Sequence, residues 1–259
     1  MCQYAGQMSA RFAPGEAPAA PLRGELRYGL ELARLLSDRD FRRPSWRGSD
    51  LPVLLVPGFM AGDPSLSVLA GWLRRRGSRV AGAGMLMNSD CAQRAVGRIE
   101  SRLAAMSERA GSRVVLIGQS RGGALARVAA LHNPDLVSTV VMLGSPVLGP
   151  LDVGPGVLRA VRSVALLGDL GVPGMFSSEC SDGPCCAAFR AALPAALPAE
   201  VRAVAIYSRS DGIVSWQACL DPCAEHVEVD SSHTGMSVNV AVYRVLARIL
   251  DEEGRRWTG

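Results

Sequence analysis

The chain has 259 residues, of which 48% are apolar and 20% are charged, and its formal charge at pH 7 is +4. This composition excludes an intrinsically disordered chain, and no apolar run approaches the roughly 20 residues that span a bilayer. All 28 basic residues are arginine, which excludes a phosphate-binding P-loop because that motif requires a lysine.

Residues 1–23 are predicted to form a flexible arm, because proline and glycine recur in their second half. They lack the basic start and the apolar core of a secretory signal, so we expect a cytoplasmic protein, with secretion as the alternative. An amphipathic helix is predicted over residues 24–41. Its apolar positions are Leu26, Leu30, Ala33 and Leu36, with Tyr28 and Leu35 nearby.

Strands and helices are predicted to alternate along most of the remaining chain. The predicted strands cover residues 52–56, 79–85, 113–118, 137–143, 201–207 and 226–229. The predicted helices cover residues 64–76, 88–110, 120–132 and 236–252, the first capped by Asp63 and the second closed by Gly111. This alternation predicts an α/β fold in which a mainly parallel sheet of about six strands has helices on both faces.

Residues 148–200 interrupt this alternation and are too long for an ordinary connection between a helix and a strand. We predict that this stretch, which is rich in glycine, proline and alanine, forms a partly helical cap over the ends of the strands. The predicted organisation is therefore an arm (1–23), a first core part (24–147), the cap (148–200) and a second core part (201–259).

A Gly-x-Ser-x-Gly motif at Gly118–Gly122 lies directly between a predicted strand and a predicted helix. That context is typical of a nucleophile elbow, a sharp turn that exposes the serine hydroxyl. We therefore predict that Ser120 is a catalytic nucleophile and does not merely cap the helix that follows it.

A serine hydroxyl needs a base, and the chain has only three histidines. In enzymes with this elbow the acid and the histidine follow the serine in the chain, which excludes His132. His226 lies within a predicted strand, whereas His233 lies in a loop after the last strand, from which it can reach the elbow. The sequence therefore predicts His233 as the base.

The acid that orients the histidine is predicted to be Asp211, which directly follows the fifth predicted strand. Gly212 beside it permits a tight turn at that point. Asp221 and Asp230 are the alternatives, since both also follow the serine and precede His233 in the chain.

Two backbone N–H groups are predicted to bind the oxyanion that forms during acyl transfer. The first belongs to Arg121, directly after the nucleophile, and the second to Phe59 in the loop after the first strand, with Met60 as the second choice. The residues predicted to line the substrate pocket are Met60, Gln119, Met175 and Phe176.

Together these segments resemble the α/β-hydrolase superfamily, and specifically its small bacterial triacylglycerol lipases and carboxylesterases. The matching segments are VPGF (Val56–Phe59), GQSRGG (Gly118–Gly123), SRSDGIV (Ser208–Val214) and SSHTGM (Ser231–Met236). The resemblance implies a Ser-His-Asp triad, an acyl-enzyme intermediate and a reduced form of the fold. Two features depart from the family: Arg121 replaces a small or apolar residue, and Pro57 stands where many lipases have histidine.

The predicted function is hydrolysis of a carboxylic ester with an apolar acyl group. An acyltransferase or thioesterase that acts on a biosynthetic acyl intermediate is the alternative enzyme, and a hydrolase-fold protein that only binds a small ligand is the alternative without catalysis. No nucleic-acid partner is expected. Docking of an acidic acyl carrier protein on Arg74–Arg76 is a weaker interpretation than a solvated helix end.

Seven cysteines are present: Cys2, Cys91, Cys180, Cys185, Cys186, Cys219 and Cys223. Their odd number and the expected reducing compartment favour free thiols, with a disulfide between cap and body as an alternative. Zinc is disfavoured, because C-x₄-C-C followed by C-x₃-C is not a recognised ligand spacing and no histidine flanks it. We predict no metal and no cofactor.

Overall fold

The computed structural model describes residues 22–43, 50–148 and 153–258. Most of the predicted arm (1–23) lies outside these residues. Six strands form one sheet, in which every neighbouring pair is parallel. In chain order they are β1 (Pro52–Val56), β2 (Arg79–Gly82), β3 (Val114–Gln119), β4 (Val137–Leu143), β5 (Arg202–Tyr207) and β6 (Glu225–Glu228). The predicted six-stranded parallel sheet is confirmed.

The order of the strands across the sheet is β2-β1-β3-β4-β5-β6. Three adjacent interior strands, β1, β3 and β4, are almost entirely apolar because helices cover both of their faces. Val56 at the end of β1 is level with Gly118 of β3, and Gln119 of β3 is level with Leu143 of β4. The loops that follow these strands therefore leave the same edge of the sheet, side by side.

Helices form a layer on each face of the sheet. The nine described α-helices are α1 (Tyr28–Ser37), α2 (Arg39–Arg42), α3 (Ser67–Arg75), α4 (Ala92–Ala110), α5 (Arg121–His132), α6 (Pro155–Asp169), α7 (Glu179–Asp182), α8 (Ala187–Ala192) and α9 (Val240–Thr258). One core lies between the sheet and α4, α5 and α8. A second core lies between the sheet and α1, α3 and α9. No helix in the described ranges is both long and apolar enough to cross a membrane.

The predicted helix at 64–76 has a different start from the one expected. A 3₁₀ helix (Asp63–Leu66) precedes α3, and Asp63 caps neither of them with its side chain. Its carboxylate instead accepts hydrogen bonds from the N–H groups of Gly84 (2.9 Å) and Met85 (3.3 Å). These contacts belong to the loop after β2, which is why that strand ends at Gly82 and not at residue 85 as predicted.

Of the apolar side chains predicted for the first helix, Leu35 is buried but the others named as its regular face are not. Leu26 is 86% exposed, Leu30 and Leu36 are each 51% exposed, and the buried side chains of α1 are Glu31 and Leu35. The physical reason is that the Glu31 carboxylate accepts hydrogen bonds from a buried loop near the end of the chain. This interaction turns the acidic face of the helix toward the body.

The segment between β4 and β5 is partly helical, as predicted, and its two halves pack differently. Phe189 of α8 and Leu193 after it belong to the core beneath α4 and α5, so this half is part of the layer that covers the sheet. Val164 of α6 packs in a separate cluster with Phe176 and with Phe59 from the loop after β1. The earlier half therefore lies against the loop that carries a predicted oxyanion donor.

Candidate active site

Ser120 occupies the turn between β3 and α5 with φ 54° and ψ −129°, a backbone conformation that residues other than glycine rarely adopt. Its N–H donates to the carbonyl oxygen of Leu143 at 2.7 Å. Gly122 fits the turn because a Cβ atom there would collide with the carbonyl oxygens of Val56 and Pro57. The arrangement is a strained strand-to-helix turn packed closely on β1, as a nucleophile elbow requires.

His233 and Asp211 form a buried pair at the same edge of the sheet. The Nδ1 atom of His233 lies 2.6 Å from Oδ2 of Asp211. The other oxygen of Asp211 accepts hydrogen bonds from the N–H groups of Ile213 and Val214, each at 2.8 Å. These two backbone donors fix the carboxylate, and a neutral imidazole that donates its Nδ1 proton to it has Nε2 free to accept a proton.

Gln119 and Gly144 both lie against this pair, near the turn that carries Ser120. The side-chain amide of Gln119, beside the serine, donates to the carbonyl oxygen of His233 at 3.1 Å. A Cβ atom at Gly144, directly after β4, would lie 3.2 Å from both His233 Nδ1 and Asp211 Oδ2. The structure therefore places the Asp211–His233 pair close to the residue that precedes Ser120, and Gln119, predicted as a pocket residue, holds the histidine loop.

The alternative acids are engaged elsewhere. Asp221 forms an ion pair with Arg127, with 2.5 Å between Oδ2 and the guanidinium Nε, and both side chains are buried. Asp230 pairs with Arg27 on the surface at 2.9 Å. Neither carboxylate contacts a histidine side chain in the described part of the chain, so Asp211 is the acid that the geometry favours.

The other two histidines also have separate partners. His132, at the end of α5, lies 2.8 Å from a carboxylate oxygen of Glu100. His226, on β6, has its Nε2 atom 2.7 Å from the carbonyl oxygen of Asp221. Both contacts are consistent with structural roles.

The loop after β1 runs beside Ser120, since a Cβ atom at Gly58 would lie 3.3 Å from the serine Cβ. Among the described residues, neither the Phe59 N–H nor the Arg121 N–H has a hydrogen-bond acceptor. The N–H of Met60, in contrast, donates to the carbonyl oxygen of Asn88 at 3.1 Å. Phe59 and Arg121 therefore remain the candidate oxyanion donors, and Met60 is not one.

Asn88 holds this loop in place. Its side-chain amide donates to the Pro57 carbonyl oxygen at 2.7 Å, and its backbone N–H donates to the Ala61 carbonyl oxygen at 2.8 Å. The guanidinium of Arg121 in turn donates to the side-chain oxygen of Asn88 at 2.6 Å and to the carbonyl oxygen of Asp90 at 2.5 Å. This network accounts for the arginine after the serine.

Burial of the Arg121 guanidinium lowers its pKa to about 10, so the group stays protonated at neutral pH. Its side chain also lies over the ring of Phe176, 5.7 Å from the ring centroid. The Phe176 ring is itself 6.0 Å from the Phe59 ring. Of the predicted pocket residues, Phe176 therefore lies against the candidate oxyanion loop, Met175 packs in the same cluster, and Met60 is 49% exposed.

Two acidic residues near the start of the chain support the histidine loop, and the sequence predictions missed both. The Glu25 carboxylate accepts hydrogen bonds from the N–H groups of His233 (2.9 Å), Thr234 (3.0 Å) and Gly212 (3.1 Å). Partial burial favours its neutral form, yet these donors outweigh it and lower the pKa of Glu25. Glu31 accepts from the Ser232 N–H at 2.8 Å. No local pattern in the sequence indicates either contact, because the partners lie about 200 positions further along the chain.

One group of side chains in the described residues has the composition of a metal site. The sulfur atoms of four cysteines lie within 4.8 Å of one another; they are Cys91, Cys180, Cys185 and Cys186. The prediction of no metal considered the last three together with Cys219 and Cys223, and did not include Cys91.

Comparisons with known proteins agree with this architecture. The family model described as a PGAP1-like alpha/beta domain matches residues 73–153, which include β3, Ser120 and β4. No curated protein is significantly similar to the chain in sequence.

Several solved structures are similar in fold. The mature form of a Bacillus licheniformis lipase superposes with a TM-score of 0.58 at 15% identity, covering 80% of this chain and 94% of that one. One of two metagenome-derived lipolytic enzymes, LipS and LipT, gives 0.56 at 16% identity, covering 82% and 96%. The thioesterase domain from the curacin biosynthetic pathway gives 0.52 at 13% identity, covering 79% and 92%.

Proposed function

We propose that this chain, which has the α/β-hydrolase fold, is a serine hydrolase that cleaves a carboxylic ester with an apolar acyl group. The observation that carries the proposal is the buried Asp211–His233 pair, which lies beside a serine in a strained turn. A carboxylate fixed by two backbone N–H groups and bonded to one histidine is the arrangement that activates a serine hydroxyl.

In the proposed reaction, the Ser120 hydroxyl oxygen attacks the ester carbonyl carbon while His233 accepts the hydroxyl proton at Nε2. The negative charge on the carbonyl oxygen is stabilised by the N–H groups of Phe59 and Arg121. His233 then gives the proton to the departing alcohol, which leaves an acyl group on Ser120. Attack by water, with His233 again as base, releases the acid and restores the serine.

Preference for an apolar acyl group is supported by the side chains around the proposed site. Phe59 and Phe176 pack together beside the candidate oxyanion loop. Several large apolar side chains in the loops after β1 and β2, in α6 and directly after α6 are at least 37% exposed. They are Met60, Leu86, Met87, Leu166, Leu170 and Val172. We propose that these side chains line the approach to the site, since a contiguous exposed apolar surface is typical of binding sites for apolar ligands. We propose that residues 148–200 form a cap region, in which the half that carries α6 contributes to this surface while α8 covers the sheet.

A fluorophosphonate probe tests the proposal directly, because it forms a covalent bond only with an activated serine. We expect mass spectrometry of the intact, folded protein to show one adduct and peptide mapping to place it on Ser120. Heat-denatured protein serves as the control and should show no adduct. A folded protein that remains unlabelled at Ser120 would contradict the proposed mechanism.

The class of acyl substrate can be determined with the same preparation. Hydrolysis of p-nitrophenyl esters is compared with release of the acyl group from a thioester on an acyl carrier protein. We expect the ester to be the better substrate, because part of the arginine run that a carrier would contact is engaged within the fold: Arg76 is buried and pairs with Asp251 at 2.5 Å. Preferential turnover of the carrier thioester would favour the thioesterase alternative.

Asn88→Ala is expected to lower kcat/KM for a p-nitrophenyl ester by about 10- to 100-fold. The substitution removes the side-chain bonds that hold the loop with the Phe59 N–H, and loss of a complete oxyanion donor typically costs ~10²–10³ in rate. Asn133→Ala is the matched control, since the Asn133 side chain donates to Glu100 and to the Ala129 carbonyl oxygen, and neither partner belongs to the loop after β1. Equal kcat/KM for the two folded variants would show that Asn88 does not position the donor.

A further inference from the structure

Four cysteine sulfurs meet at the junction between the body and the segment that follows β4. Cys91 lies directly before α4, Cys180 lies in α7, and Cys185 and Cys186 lie in the 3₁₀ helix Pro184–Cys186. The Sγ atoms of Cys91 and Cys186 are 3.4 Å apart, those of Cys180 and Cys185 3.3 Å, and those of Cys185 and Cys186 3.8 Å. All four lie within 4.8 Å of one another.

The three shortest of these separations, 3.3–3.8 Å, are close to the edges of a zinc–thiolate tetrahedron. A Zn–S bond of about 2.3 Å in tetrahedral geometry places neighbouring sulfurs about 3.8 Å apart. A disulfide bond, in contrast, needs about 2.05 Å between its sulfurs. We propose that Cys91, Cys180, Cys185 and Cys186 together bind one Zn²⁺ ion.

The surroundings of the cluster fit a bound cation held by four thiolates. Cys91 directly precedes α4, so its sulfur lies at the N-terminal end of that helix, where the helix dipole favours a thiolate. A centre with four thiolates and one Zn²⁺ has a net charge of −2, and the guanidinium groups of Arg94 and Arg121 interact favourably with thiolates of this cluster.

The site is structural in this proposal, because four protein ligands fill the tetrahedron and no position remains for water or substrate. It fastens Cys180, Cys185 and Cys186 to the body through Cys91. Two hydrogen bonds cross the same junction: the Ser89 hydroxyl donates to the Gly174 carbonyl oxygen at 2.9 Å, and the Phe176 N–H donates to the Ser89 carbonyl oxygen at 2.8 Å. Zinc therefore holds the segment that carries Phe176 against the part of the loop between β2 and α4 that contains Asn88 and Ser89.

The metal content of the full-length protein tests this proposal without any enzymatic assay. The chain is purified anaerobically with a thiol reductant and without chelators, and its zinc is measured by inductively coupled plasma mass spectrometry. We expect one zinc per chain. Cys186→Ser should lose it, whereas Cys219→Ser, which alters an equally buried thiol outside the cluster, should retain it (the two side chains are 1% and 2% exposed).

Measurements on the wild-type chain decide the question even if Cys186→Ser does not fold. Displacement of the thiolates by a mercurial reagent should release one zinc to a chromogenic chelator, and the zinc-free protein should bind Co²⁺ with the visible absorption of a tetrahedral thiolate complex. The proposal is overturned if folded, fully reduced protein contains no zinc and binds neither Zn²⁺ nor Co²⁺. It is equally overturned if the anaerobic protein contains a disulfide between two of the four cysteines.

Discussion

Ser120→Gly is expected to abolish ester hydrolysis and, at the same time, to raise the melting temperature of the protein. The loss of activity follows from the loss of the proposed nucleophile, and removal of such a residue typically lowers kcat by a factor of about 10⁶. The gain in stability follows from the backbone, because Ser120 has a φ of 54° that glycine adopts without strain.

The expected rise in the melting temperature is small but measurable. Backbone strain of this kind costs about 1–3 kcal/mol, and the larger entropy of glycine in the unfolded chain offsets roughly 0.5–1 kcal/mol of the gain. A net stabilisation of about 1 kcal/mol corresponds to a rise of about 2–4 °C in a protein of this size. Calorimetry and ester assays on wild type, Ser120→Gly and Ser120→Ala separate the two effects.

Ser120→Ala serves as the control for strain, because alanine keeps a Cβ atom in the same turn. We expect it to be as inactive as the glycine variant but without its full increase in melting temperature. Activity within tenfold of wild type in either variant would contradict the role of Ser120. A lower melting temperature for Ser120→Gly than for Ser120→Ala would show that the backbone of Ser120 is not strained.

His233→Ala is expected to reduce kcat as severely as loss of the serine, because the two side chains are proposed to act as a unit. Combining His233→Ala with Ser120→Ala should therefore cause little further loss beyond either single variant. Steady-state kinetics with a p-nitrophenyl ester measure all three proteins. Additive losses in the double variant would indicate that the two residues act independently.

The scarcity of histidine provides matched controls for this experiment. His132→Ala and His226→Ala remove the other two imidazoles of the chain, whose partners are Glu100 and the Asp221 carbonyl oxygen. We expect both variants to keep kcat within a factor of a few of wild type. A His226→Ala variant that is folded but inactive, beside an active His233→Ala variant, would transfer the role of the base to His226.

The order of the elements and the positions of the central strands were predictable from the sequence. β1 and β4 have the predicted bounds, because continuous apolar runs ended by turn residues are distinctive of buried parallel strands. Ser120, Asp211 and His233 could be singled out for a related reason. Each lies where a strand ends, and in a parallel sheet those ends share one edge.

Contacts between distant parts of the chain could not be predicted in the same way. The apolar spacing of α1 favoured Leu26, Leu30 and Leu36 as the buried face, whereas hydrogen bonds to Glu31 decide its orientation. Periodicity describes only the helix itself and contains nothing about a partner loop near the other end of the chain.

The prediction of no metal did not include Cys91 among the possible ligands for the same reason. Cys91 precedes α4, and its position next to Cys180, Cys185 and Cys186 depends on how the segment after β4 folds back over the body. Motifs with a fixed spacing between ligands detect sites built from adjacent turns. A cluster assembled across the fold has no such signature.

The bonds from Glu25 and Glu31 also determine when the candidate site can assemble during synthesis. Glu31 binds Ser232, 201 positions further along the chain, and Glu25 binds His233, 208 positions further along. The first helix therefore leaves the ribosome long before its partners exist, and the elbow at Ser120 is translated before the loop with the base. A nascent chain can form most of the sheet, yet the complete set of proposed reacting groups is assembled only after the loop with His233 has been translated.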